Sequence, residues 1–172
     1  EFVLKDPTVN FAVLECARGG LLRAGLGFKK CDVAVVTNVA ADHLGLKGIH
    51  TIEQLAKVKG VVPETVLPDG YAILNADDDL VYDMRRKVDC NVALFSMDED
   101  NPRIKALQRL HGITAVYEKG YVTICRGEWK MRIMKVEDIP LTYGGKAKFM
   151  IQNVLAAVLA VHVQGISIED MK

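Results

Sequence analysis

The chain has 172 residues, half of them hydrophobic, and its 22 basic residues are balanced by 22 acidic ones. Balanced charge gives no electrostatic reason to expect binding to nucleic acid or to a membrane surface. No apolar run reaches the ~20 residues that a membrane helix needs. The four cysteines are scattered without a CxxC pair, which favours reduced core thiols in a cytoplasmic protein.

Apolar runs alternate with helical patterns along the first hundred residues. Four of these runs predict strands, at residues 11–16, 31–39, 70–76 and 91–97. The run at 31–39 is continuously apolar, as in parallel strands that are covered on both faces. A helix is predicted from Thr51, where Thr51 and Gln54 can form a capping box. A second helix is predicted after Asn75, with Asn75 as its N-cap.

The second half of the chain has a different pattern. Period-2 segments within residues 113–136, broken at two glycines, predict a small antiparallel meander. Residues 146–165 are apolar almost all round and predict a long buried helix with Gly165 as its C-cap. Together the elements predict a three-layer α/β fold, with a mainly parallel sheet, helices on both faces and the small meander.

Polar residues follow two of the predicted strands. Glu15 comes at the end of the first strand, and Asn38, Asp42 and His43 follow the second. Ligands of open α/β sheets bind at the carboxyl ends of the strands, and carboxylate oxygens suit Mg²⁺ that is shared with a nucleotide. Each residue also has a plainer interpretation, as a capping acid, a turn residue or a loop histidine. The pattern alone indicates a phosphate-handling α/β domain.

Several segments resemble the central, ATP-handling domain of the Mur ligases and folylpolyglutamate synthases. They lie at residues 13–62, 70–81, 95–98 and 139–160. The "DH…K" element is shared across this superfamily, whereas "ARGGLLRAGLGF" (17–28) is specific to one branch of it. The resemblance therefore covers most of the chain.

The resemblance implies roles for individual residues in metal binding. Glu15 matches a glutamate that holds Mg²⁺ between the β- and γ-phosphates of ATP, and His43 matches a histidine that binds a second Mg²⁺. Lys59 matches a lysine that is carbamylated in many members, with Lys57 as the competing position. Carbamylation requires a neutral amine, which a partly buried site favours. Without the resemblance, Lys59 would be interpreted as a solvated residue on a helix face.

The resemblance also implies a nucleotide site and a domain division. Asn153 matches an asparagine that recognises adenine, although the family's second asparagine is replaced here by Met150. The family's glycine-rich loop ending in Gly-Lys-Thr/Ser is absent from the 172 residues. We therefore expect residues 1–165 to be a partial central domain without its phosphate loop. Residues 166–172 are expected to begin the linker to a C-terminal domain.

The activity implied by the resemblance is ATP-dependent amide-bond formation through an acyl phosphate. In the branch that carries the 17–28 element, the amino acid is arginine and the acceptor is an aspartate-containing polymer. The implied cofactors are ATP and Mg²⁺. A homo-oligomer is a possible assembly. Two alternatives stay open: another amino-acid ligase of the superfamily, or a non-catalytic nucleotide-binding module.

The missing phosphate loop leads to a prediction for the isolated chain. We expect the 172-residue chain to be inactive and to bind ATP weakly if at all, because the loop's amides and lysine normally cradle the phosphates. Calorimetric titration with ATP and Mg²⁺ measures this affinity. Tight, Mg²⁺-dependent binding would contradict the prediction.

Overall fold

The computed structural model describes residues 2–41, 44–45 and 47–171. Six strands form one sheet in chain order: β1 (Cys31–Val36), β2 (Val66–Asn75), β3 (Asn91–Ser96), β4 (Ile113–Glu118), β5 (Tyr121–Arg126) and β6 (Trp129–Lys135). Strands β1 to β4 run parallel, and β4, β5 and β6 pair antiparallel. The predicted meander is therefore a continuation of the parallel sheet.

The described part of the chain also contains helices of very different lengths. They are α1 (Phe2–Lys5), α2 (Arg18–Ala24), α3 (Ile52–Gly60), α4 (Asp79–Asp83), α5 (Pro102–Arg109) and α6 (Lys148–Val163). Short 3₁₀ turns lie at Pro63–Thr65, Met84–Lys87, Val136–Asp138 and Pro140–Thr142. No helix among the described residues has the length and apolar character to cross a membrane.

Helices cover the sheet on both faces, as predicted. On β2, Ile73 packs in the cluster that contains the buried face of α6, while its neighbours Ala72 and Leu74 pack in the cluster with Leu55 of α3 and Ile104 of α5. Alternate residues of a strand point to opposite faces. A strand that is buried on both faces must therefore be apolar at every position, which accounts for the continuous apolar runs.

The strand predicted at 11–16 is wrong. Residues 11–17 have no regular secondary structure, and the side chains of Phe11 and Val13 are 61% and 87% exposed. A strand is stable only when neighbouring strands satisfy its backbone groups, and β1 pairs in the described sheet with β2 alone. An apolar run by itself does not show whether such a partner exists.

Two further differences concern helices. Helix α5 lies in a polar stretch for which the sequence pattern predicts no helix. Asn101 caps it by accepting a hydrogen bond from the Arg103 N–H, and Pro102 is at the first helical position. At the end of α6, the C-cap is Gln164, and Gly165 follows it with φ +75°. The Gly165 and Ile166 N–H groups bond back into the last turn of α6 at 3.0 and 3.2 Å, so the left-handed glycine ends the helix as a Schellman motif does.

A buried carboxylate joins the three antiparallel strands. Glu118 ends β4 with its side chain 9% exposed, and it accepts hydrogen bonds from Lys130 Nζ at 2.6 Å and Arg132 Nε at 3.5 Å. Thr123 Oγ1 lies 3.3 Å away. The hydrogen bond from Lys130 is the main cause that lowers the pKa of Glu118 below its ordinary value of 4.5. Both cations come from β6, so this interaction fixes the outer strand against the sheet.

The lowered pKa predicts how stability changes with pH. Because the pKa of Glu118 is lower in the folded state, its contribution is present above pH 4.5 and is lost as pH falls through the folded pKa. Glu118→Gln should lower the free energy of unfolding by about 1–2 kcal/mol at pH 7, a moderate value because both cations are half exposed. Urea unfolding at pH 7 and pH 3 measures this.

The exposed Glu128, on the turn between β5 and β6, offers a matched control. Glu128→Gln should stay within about 0.5 kcal/mol of the unsubstituted chain. The difference between the two variants should shrink at pH 3. A pH-independent difference would show that the ion pair is not its source.

Candidate active site at the carboxyl edge of the sheet

The carboxyl ends of β1 to β4 lie at one edge of the sheet because these strands are parallel. Their chain continuations at this edge begin with Thr37, Ala76, Met97 and Lys119. This is the edge at which open α/β sheets bind ligands.

Lys59 points to this edge from α3. The Thr51–Gln54 capping box, predicted from the sequence, fixes the beginning of α3. In the last turn of the helix, Lys59 Nζ donates a hydrogen bond of 2.7 Å to the backbone carbonyl of Asn38. Lys59 is half-buried, whereas the competing Lys57 is exposed. The structure thus brings Lys59 and Asn38 together.

The loop after β1 is held at three successive residues. Asn75 Nδ2 donates to the Thr37 carbonyl at 2.7 Å, Lys59 binds the Asn38 carbonyl, and the Val39 N–H donates to Asp78 Oδ2 at 2.7 Å. The three side chains come from the end of β2, from α3 and from the cap of α4. These contacts set the backbone course of the loop just before Asp42.

The N-cap predicted for the helix after Asn75, which is α4, is wrong. Asp78 caps α4 by accepting the Val81 N–H at 3.0 Å. Asn75 is still within β2 and is 2% exposed. Its side-chain Oδ1 accepts the Asp77 N–H, while its side-chain Nδ2 donates to the Thr37 carbonyl. Both Asn75 and Asp78 are favourable capping residues. The local sequence does not show that β2 extends through Asn75, so it does not show which of the two caps α4.

Asp77 makes the corresponding connection between β2 and β3. Its carboxylate accepts hydrogen bonds from Ser96 Oγ at 2.5 Å and from the Met97 N–H at 2.8 Å. Arg103 adds a hydrogen bond of 2.9 Å to the Ala76 carbonyl and stacks on the Tyr82 ring. Side chains of residues 75–78 therefore connect the carboxyl ends of three strands.

Two predicted site residues, Asp42 and His43, lie outside the described residues, and their roles stay predictions. Glu15 is exposed within the irregular 11–17 stretch. Burial and then the Cys31 thiol at the beginning of β1 raise the pKa of the adjacent Cys16 thiol. The role of Glu15 as a metal ligand also stays a prediction.

Asn153 lies on the second turn of α6 and is exposed, with Nδ2 3.8 Å from the sulfur of Met150. An open cavity of about 400 Å³ adjoins this end of the helix. It is lined by Met97, Tyr117, Lys148, Phe149 and Gln152. Asn153 does not line this cavity, so its predicted contact with adenine stays untested.

The described residues do not by themselves form a metal site. Within residues 2–41, 44–45 and 47–171, no three His, Cys, Asp or Glu side chains are grouped so that they could hold an ion. A protonated Lys59 would repel a divalent cation.

Comparison with known proteins adds family relationships. The family model described as the Mur ligase middle domain matches residues 2–161. The chain is 60% identical to cyanophycin synthetase of Geminocystis herdmanii over 97% of its own length and 19% of that protein. It is also 60% identical to cyanophycin synthetase of Synechocystis, over 99% of its own length and 20% of that protein. The chain thus spans about a fifth of these curated relatives.

A solved structure supports the fold. MurF from Acinetobacter baumannii superposes with a TM-score of 0.56 at 20% identity, covering 81% of this chain and 27% of that one. At this identity the similarity concerns the fold alone. It agrees with the predicted three-layer α/β architecture.

The contacts of Asn75 lead to a stability prediction. Asn75→Ala should lower the free energy of unfolding by about 1–3 kcal/mol, because the Thr37 carbonyl and the Asp77 N–H both lose their partner, the buried side-chain amide of Asn75. The matched control is Asn91→Ala, which removes an exposed amide 3.2 Å from the Gly70 carbonyl. Urea unfolding compares the two variants. Equal losses would contradict the role given to Asn75.

Proposed function

The chain belongs to the Mur ligase family as part of its middle domain, and we propose that the whole protein is an ATP-dependent ligase that joins an amino acid to a carboxylate. The match over residues 2–161 carries this proposal. The half-buried Lys59, directed to the carboxyl edge of the sheet, supports it. The proposal includes a cytoplasmic location, where ATP is available.

The proposed reaction of the whole protein is that of a cyanophycin synthetase. In this reaction arginine is joined to the aspartate side chains of a poly-aspartate backbone. Support comes from the 60% identity to two cyanophycin synthetases and from the branch-specific element at 17–28. Product analysis with different amino acids distinguishes this activity from that of another Mur or folylpolyglutamate-type ligase.

The proposed chemistry has two steps. A carboxylate oxygen of the acceptor attacks the γ-phosphorus of ATP, so that ADP leaves and an acyl phosphate forms. The amine of the incoming amino acid then attacks the acyl carbon. Phosphate leaves, the nitrogen loses a proton and an amide is formed.

Lys59 is the proposed carbamylated residue. Its neutral amine attacks CO₂, an N–C bond forms and one proton is released. The product is a carbamate, whose carboxylate stands at the end of a long side chain. Lys59 thereby becomes a hard oxygen donor.

The remaining assignments are proposals that rest on the family motifs. Glu15 and His43 are the proposed Mg²⁺ ligands, and Asp42 would orient His43. Asn38 positions Lys59, and Asn153 is proposed to contact adenine. Bound Mg²⁺ would neutralise negative charge on the phosphates. We also propose that residues 1–165 belong to the central domain and that 166–172 begin a linker.

Substitutions in the full-length protein test the site. Lys59→Ala, His43→Ala and Glu15→Ala should each lower kcat for ATP-dependent arginine addition by about 100-fold or more, by analogy with the loss of one group that stabilises transition-state charge. The measurement is arginine-dependent release of phosphate. The matched control, Lys57→Ala, removes an exposed lysine from the same helix and should keep nearly full activity. If all three site variants retain activity close to that of the control, the proposed site is wrong.

A further inference from the structure

One peptide group lies between two oppositely charged side chains. The Asn38 carbonyl and the Val39 N–H belong to the same peptide unit. Lys59 Nζ donates to its oxygen at 2.7 Å, and Asp78 Oδ2 accepts from its nitrogen at 2.7 Å. Because a peptide unit is planar, holding its N–H also fixes the direction of its carbonyl.

The charges of Lys59 and Asp78 match the partial charges of this peptide group, which are negative on the oxygen and positive on the N–H. The cation lies at the oxygen and the anion at the N–H, so both hydrogen bonds are charge-assisted. Hydrogen bonds in such a chain polarise one another and strengthen together. Asp78 can therefore influence Lys59 without touching it.

The two oxygens of Asp78 have separate partners. Oδ1 accepts the Val81 N–H and caps α4, while Oδ2 accepts the Val39 N–H. A carboxylate provides an acceptor for each, whereas a serine hydroxyl or an asparagine amide provides a single oxygen. Asp78 thus does more than cap α4.

We propose that Asp78 is a positioning residue for Lys59 and acts through the Asn38–Val39 peptide. The inference rests on the proposed function for the role of Lys59. When the amine becomes a carbamate, Nζ keeps one N–H. That N–H can still donate to the Asn38 carbonyl, so the peptide held by Asp78 directs the amine before the reaction and the new carboxylate after it.

The test is Asp78→Ser in the full-length protein. Serine is a good N-cap, so α4 keeps its cap while the contact with Val39 is lost. The matched control is Asp79→Ser, which replaces the neighbouring carboxylate, whose side chain is 86% exposed. Acylation with sulfosuccinimidyl acetate, followed by mass spectrometry, gives the labelling of Lys59 relative to the exposed Lys57.

The ratio of Lys59 to Lys57 labelling should rise about fivefold in Asp78→Ser, as expected for the loss of one hydrogen bond, and should not change in Asp79→Ser. In the ligation assay, kcat should fall about tenfold or more, with the KM for ATP little changed. Equal labelling ratios in the two variants overturn the proposal. Equal kcat values overturn the positioning role even where the ratio rises.

A second variant and the labelling measurement cover the cases in which Asp78→Ser does not fold or the protein shows no activity. If thermal unfolding shows that Asp78→Ser does not fold, Asp78→Asn takes its place, since asparagine has an acceptor oxygen in only one of the two positions that Oδ1 and Oδ2 of Asp78 occupy. Labelling needs no turnover. If the unsubstituted protein lacks ATP-dependent ligation, the proposed function fails, while the labelling ratio still decides whether Asp78 positions Lys59.

Discussion

Burial of the central strands on both faces is the constraint on which the rest of the structure depends. Ala72, Ile73 and Leu74 of β2 are fully buried, so the sheet needs helices above and below it. The connections between successive parallel strands supply helices for one face, and α6 covers the other. Because β1 to β4 are parallel, their carboxyl ends and the loops that follow meet at one edge.

That edge creates a second requirement, since the ends of buried strands present backbone groups away from water. These groups need partners. Residues 75–78 supply many of them, through Asn75 to the loop after β1, Asp77 to the end of β3 and Asp78 to Val39. The same contacts that satisfy the backbone also fix the loop whose Asn38 carbonyl binds Lys59. Stability and the geometry of the proposed site thus share one set of side chains.

The irregular 11–17 stretch has the opposite character. Its apolar side chains Phe11, Val13 and Leu14 are exposed, and so is Glu15. The chain spans about a fifth of the curated relatives, and the whole protein is the proper setting in which to test Glu15. By contrast, the contact between Lys59 and Asn38 depends on β1 and α3, both of which lie within the described chain.

Much of the fold could be predicted from local chemistry. The sequence by itself determined the α/β class, the capping box of α3 and the long buried α6, because periodicity and caps are local properties. The tertiary structure alone decided that residues 11–17 are not a strand, that Asp78 and not Asn75 caps α4, and that Asp78 reaches Lys59 through one peptide. Each of these depends on groups that are distant in the chain, and a local pattern contains no information about which distant partner satisfies a hydrogen bond.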